Sequence, residues 1–531
     1  MELISLQSLL LLSGLLIAYY VVGRFAKRWQ WTVLLAGSIA FYGVAGSWPT
    51  LLFLLLVAFV TWGSALLLGR LHKQDKAARK EAKGRDAKKA VRKAFTRKRR
   101  LVLAVGLVVC LGILGYFKYW NVLLFYVGAA SDIHSLGILL PLGISFYIFQ
   151  SLGYLLDVYN DKYEPEHNYA RFLLFVSYFP QIIQGPINHF GNLSSQLFEP
   201  HTASGVHMER GLLRLGLGVL KKVAIANVLS NAVSTVFDVA AGPDIPGSLA
   251  LYGVLAYAIQ MYADFSGGID IVEGISELFG IEMEQNFRQP YFSTSLAEFW
   301  RRWHMSLGAW MRDHVFYPLA VTSPSRSFGK WAGKHFGRHA GRTLPACVAN
   351  IIVFLFVGLW HGAEMHYLAW GLYNGVVVAL SDLCSPLFDR LANTLHVRRE
   401  SKGFYVFGVV RTFAVVCIGR YFDRFARLGD ALHALRNTFL PSTYASIKDS
   451  LAVNGATYYG DLGFPPPVWA ACAVVLIVDV LYERGYDVRS SVLGLRLPVR
   501  IALYVAIVVI VAAAAGFDTT SGGGGFLYAN F

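Results

Sequence analysis

Charged residues are scarce in this sequence. Asp, Glu, Lys and Arg together make up 15% of its 531 residues, whereas 55% of the residues are hydrophobic. Soluble domains carry about a quarter charged residues, so this composition argues against a soluble globular protein. The sequence contains no Walker-type phosphate loop, no GxGxxG after a strand and no GxSxG elbow. No sequence motif therefore supports nucleotide binding or serine-hydrolase chemistry.

Cysteine is also rare. None of the five cysteines belongs to a CxxC pair, and they are scattered at Cys110, Cys347, Cys384, Cys417 and Cys472. Most lie in apolar stretches, where a thiol behaves as a small hydrophobic side chain. Their spacing indicates neither a zinc framework nor a disulfide ladder. The sequence also lacks an internal repeat of the kind that marks the halves of transporters.

Long apolar runs are abundant. Runs of about 18 residues or more, each long enough to cross a bilayer as a helix, recur from one end of the chain to the other. The runs are continuous rather than alternating, which favours helices over sheet. We therefore predict an all-α, polytopic membrane protein with roughly eleven membrane elements.

We predict a single membrane domain over residues 1–531, and the predicted elements divide it into four parts. Residues 1–69 contain the first spans, 70–100 form a basic loop, 101–374 form the largest membrane part, and 375–531 hold further spans with a polar insertion at 428–464. The predicted spans are Leu3–Val22, Trp31–Val44, one that ends near Leu68, Leu101–Val127, Leu136–Val158, Gly211–Val236, Leu249–Phe265, Cys347–His361, Tyr367–Leu380, Tyr405–Ile418, Val468–Leu481 and Ile501–Ala515.

Most of the net charge of +15 lies in the first basic loop. Between Arg70 and Arg100 there are fifteen Lys or Arg residues and three acidic ones. Such a cluster between two spans marks the cytoplasmic side and is attracted to anionic lipid headgroups, and it places the N-terminus outside. Interleaved aromatic residues and a folded nucleic-acid module are missing, so nucleic acid is not an expected partner. A second basic loop is predicted from Arg326 to Arg342.

One apolar stretch is interrupted. Phe172–His189 contains Pro180, Gly185 and Pro186 together with buried-type amides. This pattern is typical of a re-entrant segment that lines a cavity, and equally of a kinked helix. We also expect Asp264 near the end of the run Leu249–Phe265.

Two histidines lie in tryptophan-rich, apolar surroundings. His361 closes the run that begins at Cys347, and a histidine at that depth is either functional or a core residue held by a carbonyl or hydroxyl. His304 is expected on one face of a helix from Glu298 to Trp310 that lies in the membrane interface. A neutral imidazole can take a proton from a hydroxyl near neutral pH.

Metal binding is not favoured at these histidines. His361, Glu364 and His366 form HxxExH, which matches neither HExxH nor HxxEH, and both of those motifs depend on strict helical spacing.

Five short blocks of sequence match, in order and spacing, the conserved segments of a known protein family. They are LPLGISF at Leu140–Phe146, YFPQIIQGP at Tyr178–Pro186, YADFSGG at Tyr262–Gly268 with Asn286-Phe287, FWRRWHMSL at Phe299–Leu307 with Trp310, Arg312 and Asp313, and GLWHG at Gly358–Gly362. In order and spacing these blocks resemble the membrane-bound O-acyltransferase (MBOAT) family. The nearest branch comprises bacterial alginate O-acetylases and teichoic-acid D-alanyl transfer proteins. The chain's ending, Phe526–Phe531, is also similar to that of the family.

The resemblance implies a fold and a site. In the family, a ring of tilted helices surrounds a funnel, with interfacial and re-entrant helices, and residues 101–374 correspond to its catalytic core. The histidine that matches His361 is catalytic, and the one that matches His304 is a second functional histidine. The matching blocks also suggest residues of the substrate and acyl-donor pocket, namely Asp264, Asn286, Trp300, Arg302, Trp303 and Trp360.

The resemblance also implies a reaction in a bacterial plasma membrane. No cofactor is bound in that reaction. An acyl thioester, either acetyl-CoA or an acyl carrier protein, is the co-substrate, and a hydroxyl of an extracytoplasmic polysaccharide is the acceptor. An acyl carrier protein, an extracytoplasmic transfer protein and membrane lipids are the possible partners. O-acetylation is the first hypothesis. D-alanyl transfer to teichoic acid and, from another class, a transporter or flippase for a lipid-linked glycan stay open.

Overall fold

The computed structural model describes residues 6–128, 140–239, 241–444, 452–453, 456–457 and 464–517, and these residues are almost entirely helical. Their β-structure amounts to one antiparallel pair of two-residue strands, β1 (Ala452–Val453) and β2 (Ala456–Thr457), and an isolated antiparallel bridge between Phe287 and Trp303. The all-helical prediction is confirmed. Most of the polar insertion beyond residue 444, part of the predicted span Leu136–Val158 and the ending Phe526–Phe531 lie outside the described residues.

The chain forms two compact units. The first consists of Met1–Leu212 with Val272–Glu284, and the second of Leu213–Ile271 with Gln285–Phe531. The first unit contains α1 (Leu6–Phe25), α2 (Gln30–Ala45), α3 (Trp48–Glu81), α4 (Arg85–Tyr126), α5 (Ile144–Tyr159), α6 (Tyr169–Ser177), α7 (Gln181–Gln184) and α8 (Phe190–Phe198). Next in the chain come α9 (Gly205–Val219), α10 (Val228–Ser234) and α11 (Gly247–Leu278), of which α9 and α11 contribute residues to both units.

The second unit holds the remaining helices. They are α12 (Leu296–Arg302), α13 (Met305–Met311), α14 (Tyr317–Ala320), α15 (Ser323–His361), α16 (Met365–Leu383), α17 (Ser385–Thr394), α18 (Lys402–Arg424), α19 (Leu428–Thr438), α20 (Pro466–Glu483), α21 (Val488–Leu493) and α22 (Leu497–Ala515). Three π-helical stretches interrupt the α-helices, at Leu220–Asn227, Thr235–Val239 and Arg312–Phe316.

Seven described helices are long and apolar enough to cross a membrane, or eight if α16 and α17, bent by 55°, form one span. The protein is therefore a multi-pass membrane protein, but the predicted count of roughly eleven elements is not confirmed. Helices such as α2 and α5 have only 16 residues each. A helix of that length is about 24 Å long, short of a hydrocarbon core of about 30 Å.

Both segments predicted as basic loops are helical, so that part of the prediction is wrong. Helix α3 continues to Glu81, α4 begins at Arg85, and only residues 82–84 separate the two. The second basic segment is the first half of α15, which bends at Gly337 where φ is +87°. Lys, Arg and Ala are good helix formers, and a charged helix needs no apolar face when it extends beyond a span.

The interrupted stretch Phe172–His189 is a broken element rather than one continuous helix. Helix α6 ends at Ser177, and α7 is a single turn that begins at Gln181. The carbonyl oxygen of Phe175, which the helix end leaves without a helical partner, accepts hydrogen bonds from the amides of Gln150 (2.9 Å) and Gln181 (2.8 Å). These amides satisfy the buried backbone at the break.

Helix α11 is longer than predicted. The apolar pattern ends near Phe265, but the helix continues to Leu278, so Asp264 lies within it rather than near its end. The pattern stops early because buried acids follow. Asp264 pairs with Lys222 at 2.6 Å and Asp270 pairs with Lys221 at 2.8 Å, and these partners allow the charges to lie inside the protein.

Helices α15 and α16 approach each other closely enough for their backbones to touch. A Cβ atom added at Gly371 would collide with the carbonyl oxygen of Phe354, and one at Gly375 would lie 2.9 Å from the Cα of Ile351. Gly358 is equally close to Tyr367 from the other side. Glycine at such positions permits tight helix pairing in membranes. This pair of helices fixes the position of His361, the last residue of α15.

Candidate functional site

A cavity of about 630 Å³ in the second unit is lined by both histidines that the sequence singled out. Its walls come from α11, α12, α13, α15, α16 and α18. The lining is mostly apolar and aromatic, with a few charged groups. Such a cavity can hold a small ligand and exclude water from it.

His361 lies at the carboxyl end of α15. Its ring is 5.3 Å from that of Trp370, 6.0 Å from that of Tyr367 and 4.9 Å from that of Trp360, all measured between centroids. The side chain is partly accessible, and it lines the cavity. The carboxyl end of a helix carries partial negative charge, which stabilises a positive charge on an imidazole there.

His304 occupies a break between two helices, so the predicted continuous helical face from Trp300 to Trp310 is wrong. Helix α12 ends at Arg302, His304 adopts a left-handed conformation (φ +49°, ψ +53°), and α13 begins at Met305. Left-handed backbone is uncommon for residues other than glycine and persists where the surroundings enforce it. The apolar spacing cannot reveal such a break, because two short helices in sequence keep nearly the same period.

Asn286 holds this break in place. Its backbone oxygen accepts from Met305 N at 2.9 Å, and its side-chain oxygen accepts from Ser306 N at 3.1 Å and Ser306 Oγ at 2.9 Å. The same Oδ1 lies 3.1 Å from His304 Nδ1. Because Oδ1 is already fixed as an acceptor by Ser306 N–H, Nδ1 carries the proton and Nε2 has the lone pair.

Burial keeps His304 neutral. The imidazole is 3% exposed and packs against the ring of Phe265 at 4.8 Å. Desolvation lowers the pKa of His304 from its usual value of 6.5 to about 3. An imidazole of that kind serves as a hydrogen-bonding group near neutral pH and takes up a proton with difficulty.

The tryptophans predicted for the site surround the two histidines. Trp300 and Trp303 line the cavity, and Trp300 Nε1 donates to Asn374 Oδ1 at 3.2 Å. The indole of Trp360 is buried, and its centroid is 6.4 Å from the ring of His304. Each histidine therefore packs against the same indole.

Four of the six predicted pocket residues are absent from the cavity lining. Asn286 and Trp360 contact His304, as described above, whereas Arg302 and Asp264 lie elsewhere. Arg302 is held by Glu483 (2.6 Å) and Glu298 (2.7 Å) and is absent from the cavity lining. Asp264 forms the buried pair with Lys222 described above and is likewise outside the lining. Their short ion pairs support structural roles for both.

Six charged residues of the lining were not among the site residues predicted from the sequence. They are Arg288, Arg301, Arg312, Asp382, Arg420 and Asp423. Of these, Arg420 is 5% exposed and donates to Asp423 Oδ2 at 2.8 Å. Ionisable residues at the end of an apolar span are functional candidates. That signal was present in the run Gly419-Arg-Tyr-Phe-Asp-Arg424, which directly follows the predicted span Tyr405–Ile418.

The described residues contain no group of three or more His, Cys, Asp or Glu side chains arranged to hold a metal ion. The cavity lining itself supplies imidazole, indole, arginine and aspartate side chains.

A sequence model of the membrane-bound O-acyltransferase family matches residues 164–422. Relatives include a probable alginate O-acetylase of Pseudomonas aeruginosa, 34% identical over 68% of this chain and 62% of its own length. A peptidoglycan O-acetyltransferase of Helicobacter pylori is 30% identical over 53% of this chain and 55% of its own. A teichoic acid D-alanyltransferase of Bacillus subtilis is 25% identical over 53% of this chain and 67% of its own. This chain matches less than two thirds of the length of each of these alginate O-acetylase relatives.

Proposed function

Because this chain belongs to the membrane-bound O-acyltransferase family through residues 164–422, we propose that it is an acyltransferase of the bacterial plasma membrane. It moves an acyl group, in the first instance acetyl, from a thioester to a hydroxyl of an extracytoplasmic polysaccharide. The observation that carries this proposal is the single cavity lined by His304 and His361. The ring of helices around a funnel belongs to the same proposal.

In the proposed reaction, His361 is the general base. It takes the proton from the acceptor hydroxyl while that oxygen attacks the thioester carbonyl carbon, and the new C–O ester bond replaces the C–S bond. The proton then passes from the imidazolium to the departing thiolate, so the donor leaves as a free thiol. The end of α15 stabilises the imidazolium between these steps.

His304 has a different proposed role. Its neutral, Nδ1-protonated imidazole presents Nε2 as a hydrogen-bond acceptor, which suits it to orienting a hydroxyl or thiol rather than removing the proton. The indole of Trp360 packs against both imidazoles and so restricts their orientation. Water exclusion matters here because water is a competing acceptor for the acyl group.

The choice of acetyl over D-alanyl rests on the relatives. The alginate and peptidoglycan O-acetyltransferases resemble this chain more closely than the teichoic acid D-alanyltransferases do. Acetyl-CoA or an acyl carrier protein is the proposed donor, and an extracytoplasmic transfer protein is a proposed partner. D-alanyl transfer predicts D-alanyl esters on teichoic acid that depend on a carrier protein. A glycan flippase predicts translocation without new esters.

The test is a deletion strain complemented with His361→Ala. We expect loss of O-acetyl esters on envelope polysaccharide by at least about a hundredfold, since general-base catalysis contributes roughly 10²–10⁴ in rate. Ester content is measured by mass spectrometry after mild alkaline release, and protein abundance by immunoblot of the membrane fraction.

His335→Ala is the matched control, because His335 is exposed on the same helix and lies outside the cavity lining. It should retain wild-type ester content. Wild-type O-acetyl content with His361→Ala at normal protein abundance would refute the assignment of the base. If His361→Ala instead loses D-alanyl esters and leaves O-acetyl esters unchanged, the proposed reaction becomes D-alanyl transfer to teichoic acid.

A further inference from the structure

A second cavity, of about 450 Å³, lies in the second unit. Its walls come from α9, α11, α20, α21 and α22, together with Lys221 and the segment 285–289. No histidine lines it, and Arg288 is the residue that it shares with the cavity of His304 and His361. The second cavity is therefore a neighbour of the first, and the proposed reaction does not use it.

Part of the second cavity is apolar and is formed by two membrane-crossing helices, α20 and α22. The apolar residues that these helices contribute are Val474, Val478, Leu503, Ala506, Ile507 and Ile510. Only 6% of the residues in the apolar stretch of α22 are buried within the protein, so this helix faces the hydrocarbon of the bilayer. An acyl chain of a lipid can reach this wall directly, whereas a polar solute would have to leave water to do so.

The lining also contains ionisable side chains, and most of them are cationic. The cations are Arg214, Lys221, Arg288 and Arg489, and the acids are Asp270 and Asp479. Asp270 accepts hydrogen bonds from both Lys221 (2.8 Å) and Arg214 (3.2 Å), and Asp479 accepts one from the hydroxyl of Tyr262 (2.8 Å). The lining therefore carries an excess of two positive charges, which favours an anionic ligand.

The cationic part of the second cavity lies towards one end of the two spans. Arg489 is on α21, in the short connection between α20 and α22, and Arg288 is in the segment before α12. Residues 484–500, which form that connection, include four arginines and one acid, Asp487. Such a short basic connection is typical of the cytoplasmic side, where basic pockets between membrane helices bind the headgroups of anionic lipids.

We propose that the second cavity binds an anionic phospholipid, with its phosphate against Arg288 and Arg489 and an acyl chain along α20 and α22. This inference goes beyond the proposed function, because it requires neither histidine and no acyl transfer. A small phosphate-bearing solute offers the same oxygen chemistry without the acyl chains, and the experiment separates these two sources.

The proposed lipid would contact the segment that holds His304. Phe287 lines the second cavity and forms the isolated β-bridge with Trp303, and the neighbouring Asn286 is the residue that fixes His304. The nitrogen of Arg288 also donates to the carbonyl oxygen of Arg302 at 3.0 Å. A lipid in the second cavity therefore braces the backbone that positions the break between α12 and α13.

The experiment measures lipid binding by the full-length protein after removal of its native lipid in detergent micelles. The probes are dioleoyl phosphatidylglycerol, dioleoyl phosphatidylcholine, which has the same acyl chains on a zwitterionic headgroup, and glycerol 3-phosphate, which has a phosphate but no acyl chain. Native mass spectrometry gives the Kd of each. We expect phosphatidylglycerol to bind at least about tenfold more tightly than phosphatidylcholine, because each excess cation favours an anionic headgroup. Glycerol 3-phosphate should bind more weakly still, since it buries no hydrocarbon.

Two variants test the two halves of the second cavity. Arg489→Gln removes one excess cation and should lower the preference for phosphatidylglycerol over phosphatidylcholine by about threefold or more. Ala506→Phe fills the apolar side and should weaken both phospholipids by a similar factor.

Each variant has a matched control outside the lining. Arg496→Gln removes the same charge from an exposed position of the connection between α20 and α22. Val505→Phe adds the same ring to an exposed position of α22. Both controls should bind the phospholipids as wild-type protein does, and gel filtration establishes that every variant is folded.

The inference is wrong if wild-type protein binds phosphatidylglycerol and phosphatidylcholine equally, or if monodisperse Arg489→Gln and Ala506→Phe behave like their controls. It is also wrong if glycerol 3-phosphate binds as tightly as phosphatidylglycerol, since the cavity would then hold a small phosphate-bearing solute. The comparison of the probes on wild-type protein decides the matter even if a variant does not fold. Because no ester is formed or measured, these results are independent of the His361→Ala test.

Discussion

At the scale of single residues, the two histidines differ in surroundings and therefore in chemistry. His361 is partly accessible at a helix end, whereas His304 is buried and fixed by Asn286 in a left-handed conformation. Composition and spacing treat them alike, as histidines among tryptophans. Only their burial and hydrogen bonds separate a candidate proton acceptor from a candidate orienting group.

The burial of His304 predicts a specific dependence of stability on pH. The unfolded chain takes up a proton at this residue below about pH 6.5, whereas the folded chain does so only near the lowered pKa of about 3. Folded protein therefore loses stability as the pH falls from about 6.5 towards 3. At pH 5 the loss from this residue is about 2 kcal/mol.

Thermal unfolding in detergent, followed by intrinsic fluorescence at about pH 7.5 and pH 5, checks this expectation. The fall in Tm should be smaller in His304→Gln than in wild-type protein, and His335→Gln serves as the control. Equal falls in wild type and His304→Gln would mean that the imidazole does not resist protonation in the folded state.

At the scale of elements, the pairing of α15 with α16 determines where His361 lies. The two helices are in backbone contact through Gly358, Gly371 and Gly375. A GxxxG spacing at residues 371 and 375 is visible in the sequence, but it indicates a tight contact without naming the partner helix. The structure identifies α15 as that partner.

Gly371→Ala should therefore displace His361, although residue 371 does not line the cavity. The added methyl group would meet the carbonyl oxygen of Phe354, so the helices must separate. We expect a loss of about 1–3 kcal/mol in stability, as for overpacking in a core, and reduced acyl transfer. Thermal unfolding and the ester assay measure the two effects.

Gly403→Ala is the comparison for that variant. A Cβ atom at Gly403 on α18 would meet nothing within 4 Å, so the substitution should leave stability unchanged or raise it slightly through helix propensity. If Gly371→Ala behaves like Gly403→Ala, close contact between α15 and α16 does not govern the position of His361.

At the scale of the whole molecule, charge sets the expected orientation in the membrane. Helix α4 has 42 residues, and the cationic stretch at its start continues directly into an apolar one. Eleven of the fifteen Lys or Arg residues between Arg70 and Arg100 have no acidic partner among the described residues; Lys73, Lys76, Arg79 and Arg99 are the four that do. An unbalanced cationic segment of this kind is retained on the cytoplasmic side.

This orientation is testable by cysteine labelling of a variant in which the five native cysteines are replaced by serine or alanine. Lys83→Cys and Val127→Cys lie near opposite ends of α4, and both positions are exposed. A membrane-impermeant maleimide added to intact cells should label residue 127 and spare residue 83, and cell lysis should expose both. The reverse pattern would place the basic helices outside the cell.

Much of the architecture was predictable from the sequence because the bilayer makes the pattern simple. Continuous apolar runs indicated helices and a multi-pass membrane protein, and the blocks around Trp303 and Trp360 indicated the family. Boundaries were less accurate. The runs Arg85–Arg100 and Ser266–Leu278 are polar enough to suggest loops or helix ends, yet both are helical, since propensity and buried ion pairs sustain them.

The sequence alone determined that His361 and His304 were the histidines to examine, because both stand in apolar, aromatic surroundings where an ionisable side chain is costly. Only the tertiary structure shows that both histidines line one cavity and that Arg420 lines it as well. It also shows that Asn286 fixes the tautomer of His304. These decisions depend on contacts between helices far apart in the chain. Local patterns record which face of a helix is apolar, but they do not record which side chain of another helix that face will meet.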